Sequence, residues 1–176
     1  MHDEQMQNAR ISSNPNPDID LASEPSTSEP SDGETARPDV TDLVTRGVCR
    51  FLIGLGYAPL TEFKLANGRR ADIVGVDRKG RIIMVEVKSC RADFEVDQKW
   101  TDYVGFCDAF YFAVDANFPV ELLPVDQGLI IADSYGGAIM REANSAPLPA
   151  ARRKAVTLRL TRQALTRHYQ SLDDRR

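Results

Sequence analysis

Cysteine is scarce and badly placed for a cross-linked scaffold. Cys49, Cys90 and Cys107 are the three in 176 residues, far apart and without a C-x-x-C pair. That argues against a disulfide framework and against a cysteine-based zinc site, and it points to a reducing compartment. Histidine is scarcer still, with His2 and His168 far from every other feature discussed below. No apolar run approaches the roughly 18 residues of a membrane span. The opening MHDEQMQNAR lacks the basic stretch and apolar core of a secretory signal. Neither a G-x-G-x-x-G fingerprint nor a phosphate-binding P-loop is present, which removes the common nucleotide-binding folds. The expected location is cytoplasmic.

What is present divides unevenly. Residues 1–40 hold nine acids and two bases, net −7, whereas residues 41–176 hold 17 acids and 20 bases, net +3. The whole-chain charge of −4 hides a mildly basic remainder that can tolerate a polyanion. Residues 1–39 carry five prolines, six serines and no aromatic residue. Such a segment has too little apolar surface to offset the entropy of ordering, and it reads as a disordered acidic tail. The domain is expected over residues 40–172.

Within that domain Val40, Leu43, Val44, Val48, Phe51, Leu52 and Leu55 recur at three- and four-residue spacing, predicting a helix over 40–55 capped by Asp39 or Thr41 and ended by Gly54 and Gly56. Strands are predicted at 58–65, 70–76 and 81–89, with Asn67-Gly68 turning between the first two. A helix falls somewhere in 92–106, buried strands at 109–114 and 128–132, a short strand at 138–142 after Gly136-Gly137, and a basic helix from Pro149 to Leu172. This order gives an α/β fold in which a mixed β-sheet is flanked by helices.

The chemistry gathers between Asp72 and Lys88. Arg78-Lys79-Gly80 fits a three-residue hairpin loop, with Gly80 in the left-handed position. If Asp77 pairs with Arg81, Asp72 stands opposite Glu86, and directly opposed side chains lie about 4.5–5.5 Å apart at Cβ. Two carboxylates so placed repel, and a divalent cation between them relieves the repulsion. Lys88, two residues beyond Glu86, projects on the same face. Its ammonium can position a water and stabilise charge developing on a phosphate. An ordinary surface Glu-Lys pair is the competing reading, but the apolar strands around these charges demand partners for them.

Arg70-Ala71-Asp72-Ile73-Val74 followed by Val85-Glu86-Val87-Lys88 resembles the PD-(D/E)XK nuclease superfamily. More narrowly, VTRGVCRFL (44–52), APLTEFKL (58–65), GRRADIVGVD (68–77), KGRIIMVEVKS (79–89), KWTDYVGFCDAFYFAV (99–114), GLIIAD (128–133) and PARRKAVTLR (149–159) resemble the MmcB-like DNA repair proteins of alphaproteobacteria. The resemblance implies a restriction-endonuclease-like fold, Mg²⁺ (or Mn²⁺) as cofactor, Asp72 and Glu86 as metal ligands, the Val87 carbonyl as a further ligand, and Lys88 as the catalytic lysine. Many superfamily members also place a glutamate on the first helix. This first helix has only Asp42 near its start, and Glu62, on the first strand, is the candidate substitute.

Arg69, Arg70 and Arg91 flank the motif and suit phosphate positioning. Lys99, Trp100 and Tyr103 follow on the predicted helix, where the rings suit either base stacking or the core. The leading expectation is a metal-dependent DNA endonuclease or lesion-processing nuclease of DNA repair, acting on single-stranded, branched or damaged DNA near the nucleoid. The alternatives are a non-catalytic DNA-binding repair accessory on the same fold and a module recruited to a repair-protein partner through the acidic tail.

Overall fold

The computed structural model describes residues 39–89 and 100–175. The acidic tail, Cys90, Arg91, Lys99 and most of the predicted 92–106 helix lie outside the described residues.

The chain runs α1 (Val40–Gly54), β1 (Tyr57–Lys64), β2 (Arg70–Asp77), β3 (Ile82–Val87), a one-turn helix α2 (Thr101–Val104), β4 (Ala109–Val114), a 3₁₀ turn (Val120–Leu122), β5 (Gly128–Ala132), β6 (Gly137–Arg141) and α3 (Ala150–Asp173). The six strands form one sheet in sequence order. β1, β2 and β3 are antiparallel, β3, β4 and β5 are parallel, and β6 returns antiparallel. The result is the expected mixed α/β sheet flanked by helices, consistent with a restriction-endonuclease-like fold.

Each element has a local cause. Asp39 caps α1 by accepting from the Thr41 amide, and Gly56, at φ +86°, takes the left-handed turn that ends it. Val44, Val48 and Leu52 face the sheet, whereas Val40 and Leu55, placed on the same apolar face by their spacing, are 40% and 50% exposed at the two ends of the helix. Gly47 lets α1 approach closely: a Cβ there would lie 1.7 Å from the Asp133 carbonyl oxygen. The β2–β3 hairpin has the anticipated loop. Gly80 sits at φ +76°, and Asp77 Oδ1 accepts from the amides of Lys79 and Arg81, both at 2.8 Å.

The sheet separates two cores. Val44, Val48, Leu52, Ile73, Val85 and Ile130 pack under α1. Phe63, Val74, Met84, Phe110, Phe112 and Val156 pack on the other face, beneath α2 and α3. α3 also covers the β1 edge. Gln163 bonds the Lys64 amide (3.1 Å) and carbonyl (2.7 Å), imitating a neighbouring strand, while Arg167 donates to the carbonyls of Thr61 and Glu62.

Asp108, just ahead of β4, ties the lower end together. It is 5% exposed and accepts from the Ile82 and Leu148 amides (2.7 and 2.8 Å) and from both terminal nitrogens of Arg153 on α3 (2.7 and 2.6 Å). Burial alone raises a carboxyl pKa, but the Arg153 fork and the two amides outweigh it and hold Asp108 at about 2. Cys107 beside it is buried, and burial above all pushes its thiol up to about 12, so it stays protonated and inert.

Candidate metal and nucleic-acid site

The hairpin register sets the site. β2 and β3 pair as Ile73 with Val85, Val74 with Met84, Gly75 with Ile83 and Val76 with Ile82. Asp72 and Glu86 come next in that register. Val74 and Met84 both lie in the core on the α2–α3 side, and Glu86, two residues beyond Met84 and paired with the core residue Phe112, follows on that face; on β2 Ala71 joins the same core, so the alternation breaks at Asp72. Beyond Ile73 and Val85 the regular ladder stops. The Asp72 carboxylate takes the Val87 amide at 2.8 Å, supplying with its side chain the acceptor that a neighbouring strand backbone would offer.

Glu86 and Lys88 are 6% and 5% exposed, and Lys88 Nζ lies 3.3 Å from Glu86 Oε1. Phe112 is the register partner of Glu86 on β4 and is wholly buried, so the pair stands against an apolar wall. Burial raises the Asp72 pKa. The Val87 amide and the Lys88 ammonium oppose that rise, the charge of Glu62 adds to it, and Arg70 draws it back.

β1 brings Glu62 to the same level. The β1–β2 register is intact on both sides, Thr61 with Ile73 and Phe63 with Ala71, and places Glu62 opposite Asp72. Glu62 itself drops out of the ladder at φ +53°, the one non-glycine residue among those described with a positive φ. That conformation is strained for an L-residue. Arg167 grips the two carbonyls around it from α3. The Glu62 carboxylate pairs with Arg70 at 2.5 Å, and its charge still bears on Asp72. Among the described residues no three histidine, cysteine, aspartate or glutamate side chains are grouped so as to hold a metal. The donor chemistry of Asp72 and Glu86 still fits a hard cation: Mg²⁺ keeps several waters and is commonly held by one or two carboxylates.

The flanking residues separate into surface and core. Arg69 pairs with Asp102 at 2.8 Å, and both side chains remain well exposed. Arg70 is more than half exposed on the strand rim. Tyr103 is a correction. It is 4% exposed, its ring lies against Phe110, and its hydroxyl donates to the Arg70 carbonyl at 3.0 Å, so it is a core residue whose faces are closed to a base. Trp100 is partly buried, with its ring against Phe110 and Phe112 at 6.0 and 5.9 Å, and belongs to the same aromatic cluster. The helix spacing admitted both readings; the Phe110–Phe112 face of β4 decided for the core. On α3, Arg152, Arg153 and Arg167 make contacts within the fold. Asp108 and the Arg167 clamp had no local signature. Their partners lie 45 and more than 100 residues away in sequence.

Comparison with known proteins settles the family. A family model described as DNA repair protein MmcB-like matches residues 28–175. The chain belongs to the MmcB-like DNA repair protein family. A solved structure of the SPO1766 protein of unknown function from Silicibacter pomeroyi is 42% identical, with a TM-score of 0.72 over 77% of this chain and 92% of that one. A repair endonuclease from Pyrococcus abyssi matches over 36% of this chain and 31% of its own, at 18% identity and a TM-score of 0.26, too slight a likeness to carry an argument. Among curated proteins none matches. Among the described residues no helix is long and apolar enough to cross a membrane.

Proposed function

We propose that this member of a DNA repair family is a metal-dependent deoxyribonuclease whose centre is Asp72, Glu86 and Lys88. The observation that carries this reading is the buried Lys88–Glu86 pair, 3.3 Å apart, on the strand whose Val87 amide is bonded by the Asp72 carboxylate. Asp72 and Glu86, with the Val87 carbonyl, would hold Mg²⁺ or Mn²⁺. The cation would polarise a phosphodiester and lower the pKa of a bound water. The Lys88 ammonium orients the attacking water and faces the charge that develops on the phosphate. Arg69 and Arg70 position the backbone of single-stranded, branched or damaged DNA without reading its sequence, and Arg91 and Lys99 extend that contact.

One observation favours the second reading, a DNA-binding accessory that does not cut. Glu62 is turned to Arg70 and leaves the acid pair without a third carboxylate. The two are separated by incubating purified protein with Mg²⁺ or Mn²⁺ on single-stranded, duplex, branched and damaged substrates. Nuclease action predicts cleavage that falls at least about 100-fold in Lys88→Ala while DNA binding persists and weakens with salt in both proteins. Binding with that salt dependence but no cleavage of any substrate establishes the accessory reading instead.

A further inference from the structure

Helix α3 has two faces, and the fold uses one. Arg153 reaches Asp108, Val156 is buried, Leu160 packs on the core, and Gln163 and Arg167 seal β1. The opposite face carries Ala155, Leu158, Arg162, Leu165, Tyr169 and Leu172, separated alternately by three and four residues. That is a heptad seam about 27 Å long, with leucine at each d position and Ala, Arg and Tyr at the a positions. Leu158, Leu165, Tyr169 and Leu172 are 58%, 63%, 68% and 49% exposed. A contiguous apolar stripe of this kind marks an interaction surface.

We propose that this face is the seam of an antiparallel helix pair formed with α3 of a second copy of the chain. The outward charges identify the occupant and its direction. Arg152 is held by the Gly105 carbonyl and lies over the Phe106 ring, Arg153 by Asp108, and Arg167 by β1. The charges left outside are Lys154 and Arg159 in the first half of the helix, Arg162 at its middle, and Asp173 and Asp174 at its end, with Arg175 following. A parallel pair would lay Arg162 on Arg162 and each basic half on the other. An antiparallel pair brings the acidic end of each helix to the basic half of its mate and opposes the two helix dipoles. Its layers are Ala155 with Leu172, Leu158 with Tyr169 and Arg162 with Leu165, each repeated by the two-fold axis. Arg162 lays its stem along Leu165 and carries its guanidinium to the rim. DNA, the polyanion considered above, has no use for three leucines in one register.

The inference is independent of the nuclease reading and is tested on the full chain by sedimentation equilibrium over a wide concentration range. The expected result is a reversible dimer. Leu165→Lys should weaken it at least about tenfold and leave the melting temperature of the monomer unchanged, because Leu165 is exposed. Arg162→Leu should tighten it, since a polar a position costs stability. Orientation follows from crosslinking, read against the unmutated chain and its own cysteines. A mixture of Leu158→Cys and Tyr169→Cys chains should form the mixed disulfide, and Leu172→Cys should not bond to itself. A wild-type monomer at every concentration, a dimer indifferent to Leu165→Lys, or self-crosslinking through Leu172→Cys overturns the proposal.

Discussion

Asp72 and Asp108 are both largely enclosed carboxylates with opposite electrostatic consequences. Asp108 is surrounded by donors, and its pKa is held at about 2. Asp72 has one backbone donor and a lysine against burial and a neighbouring glutamate, and its pKa rises. Linkage gives the signs. The depressed Asp108 stabilises the fold above its unfolded pKa of about 4, and that contribution is lost as pH falls toward 2. The raised Asp72 does the reverse: its penalty is absent below about pH 4 and grows as pH rises through its folded value. Metal-free protein should therefore gain stability on mild acidification and lose it on stronger acidification. Asp72→Asn, which keeps an oxygen for the Val87 amide, should be more stable than wild type near neutrality by about 1 kcal/mol, with the gap closing toward pH 4. Urea unfolding at a series of pH values checks this, and a less stable Asp72→Asn at neutrality would contradict it.

At the scale of elements, the parts that formed as read are those whose instructions are local. The 78–80 loop, with Gly80 at positive φ and Asp77 bonding two loop amides, fixes the β2–β3 register through Ile73 and Val85. Asp39 and Gly56 delimit α1 in the same way. Elements defined by distant partners were not legible. The carbonyl of Glu62, at positive φ, is bonded by Arg167, 105 residues away, and its carboxylate pairs with Arg70. The aromatic rings of Trp100 and Tyr103 could be assigned only once β4 supplied Phe110 and Phe112 as their neighbours. Close approach is equally a matter of distant partners at Gly47, where the β5–β6 turn leaves no room for a side chain. Gly47→Ala should push α1 off the sheet and lower stability by on the order of 3 kcal/mol, despite alanine's higher helix propensity. Thermal melts of that variant beside Gly54→Ala, where nothing lies within 4 Å of the added Cβ, isolate the packing effect.

For the molecule as a whole, one sheet face supports α1 through an apolar core, and the other packs beneath the basic helix that closes the β1 edge, with Glu86 beside Phe112 on that side. The chain belongs to a DNA repair family, and its domain is mildly basic. The central claim is that Asp72 and Glu86 form a divalent-cation site and that Lys88 serves it without binding the metal. Calorimetric titration of metal-free protein with Mn²⁺ tests this most directly. The wild type should show one site, lost in Asp72→Ala and in Glu86→Ala and retained in Lys88→Ala. Binding of Mn²⁺ by Asp72→Ala as tightly as by the wild type, or no binding by the wild type, would contradict it.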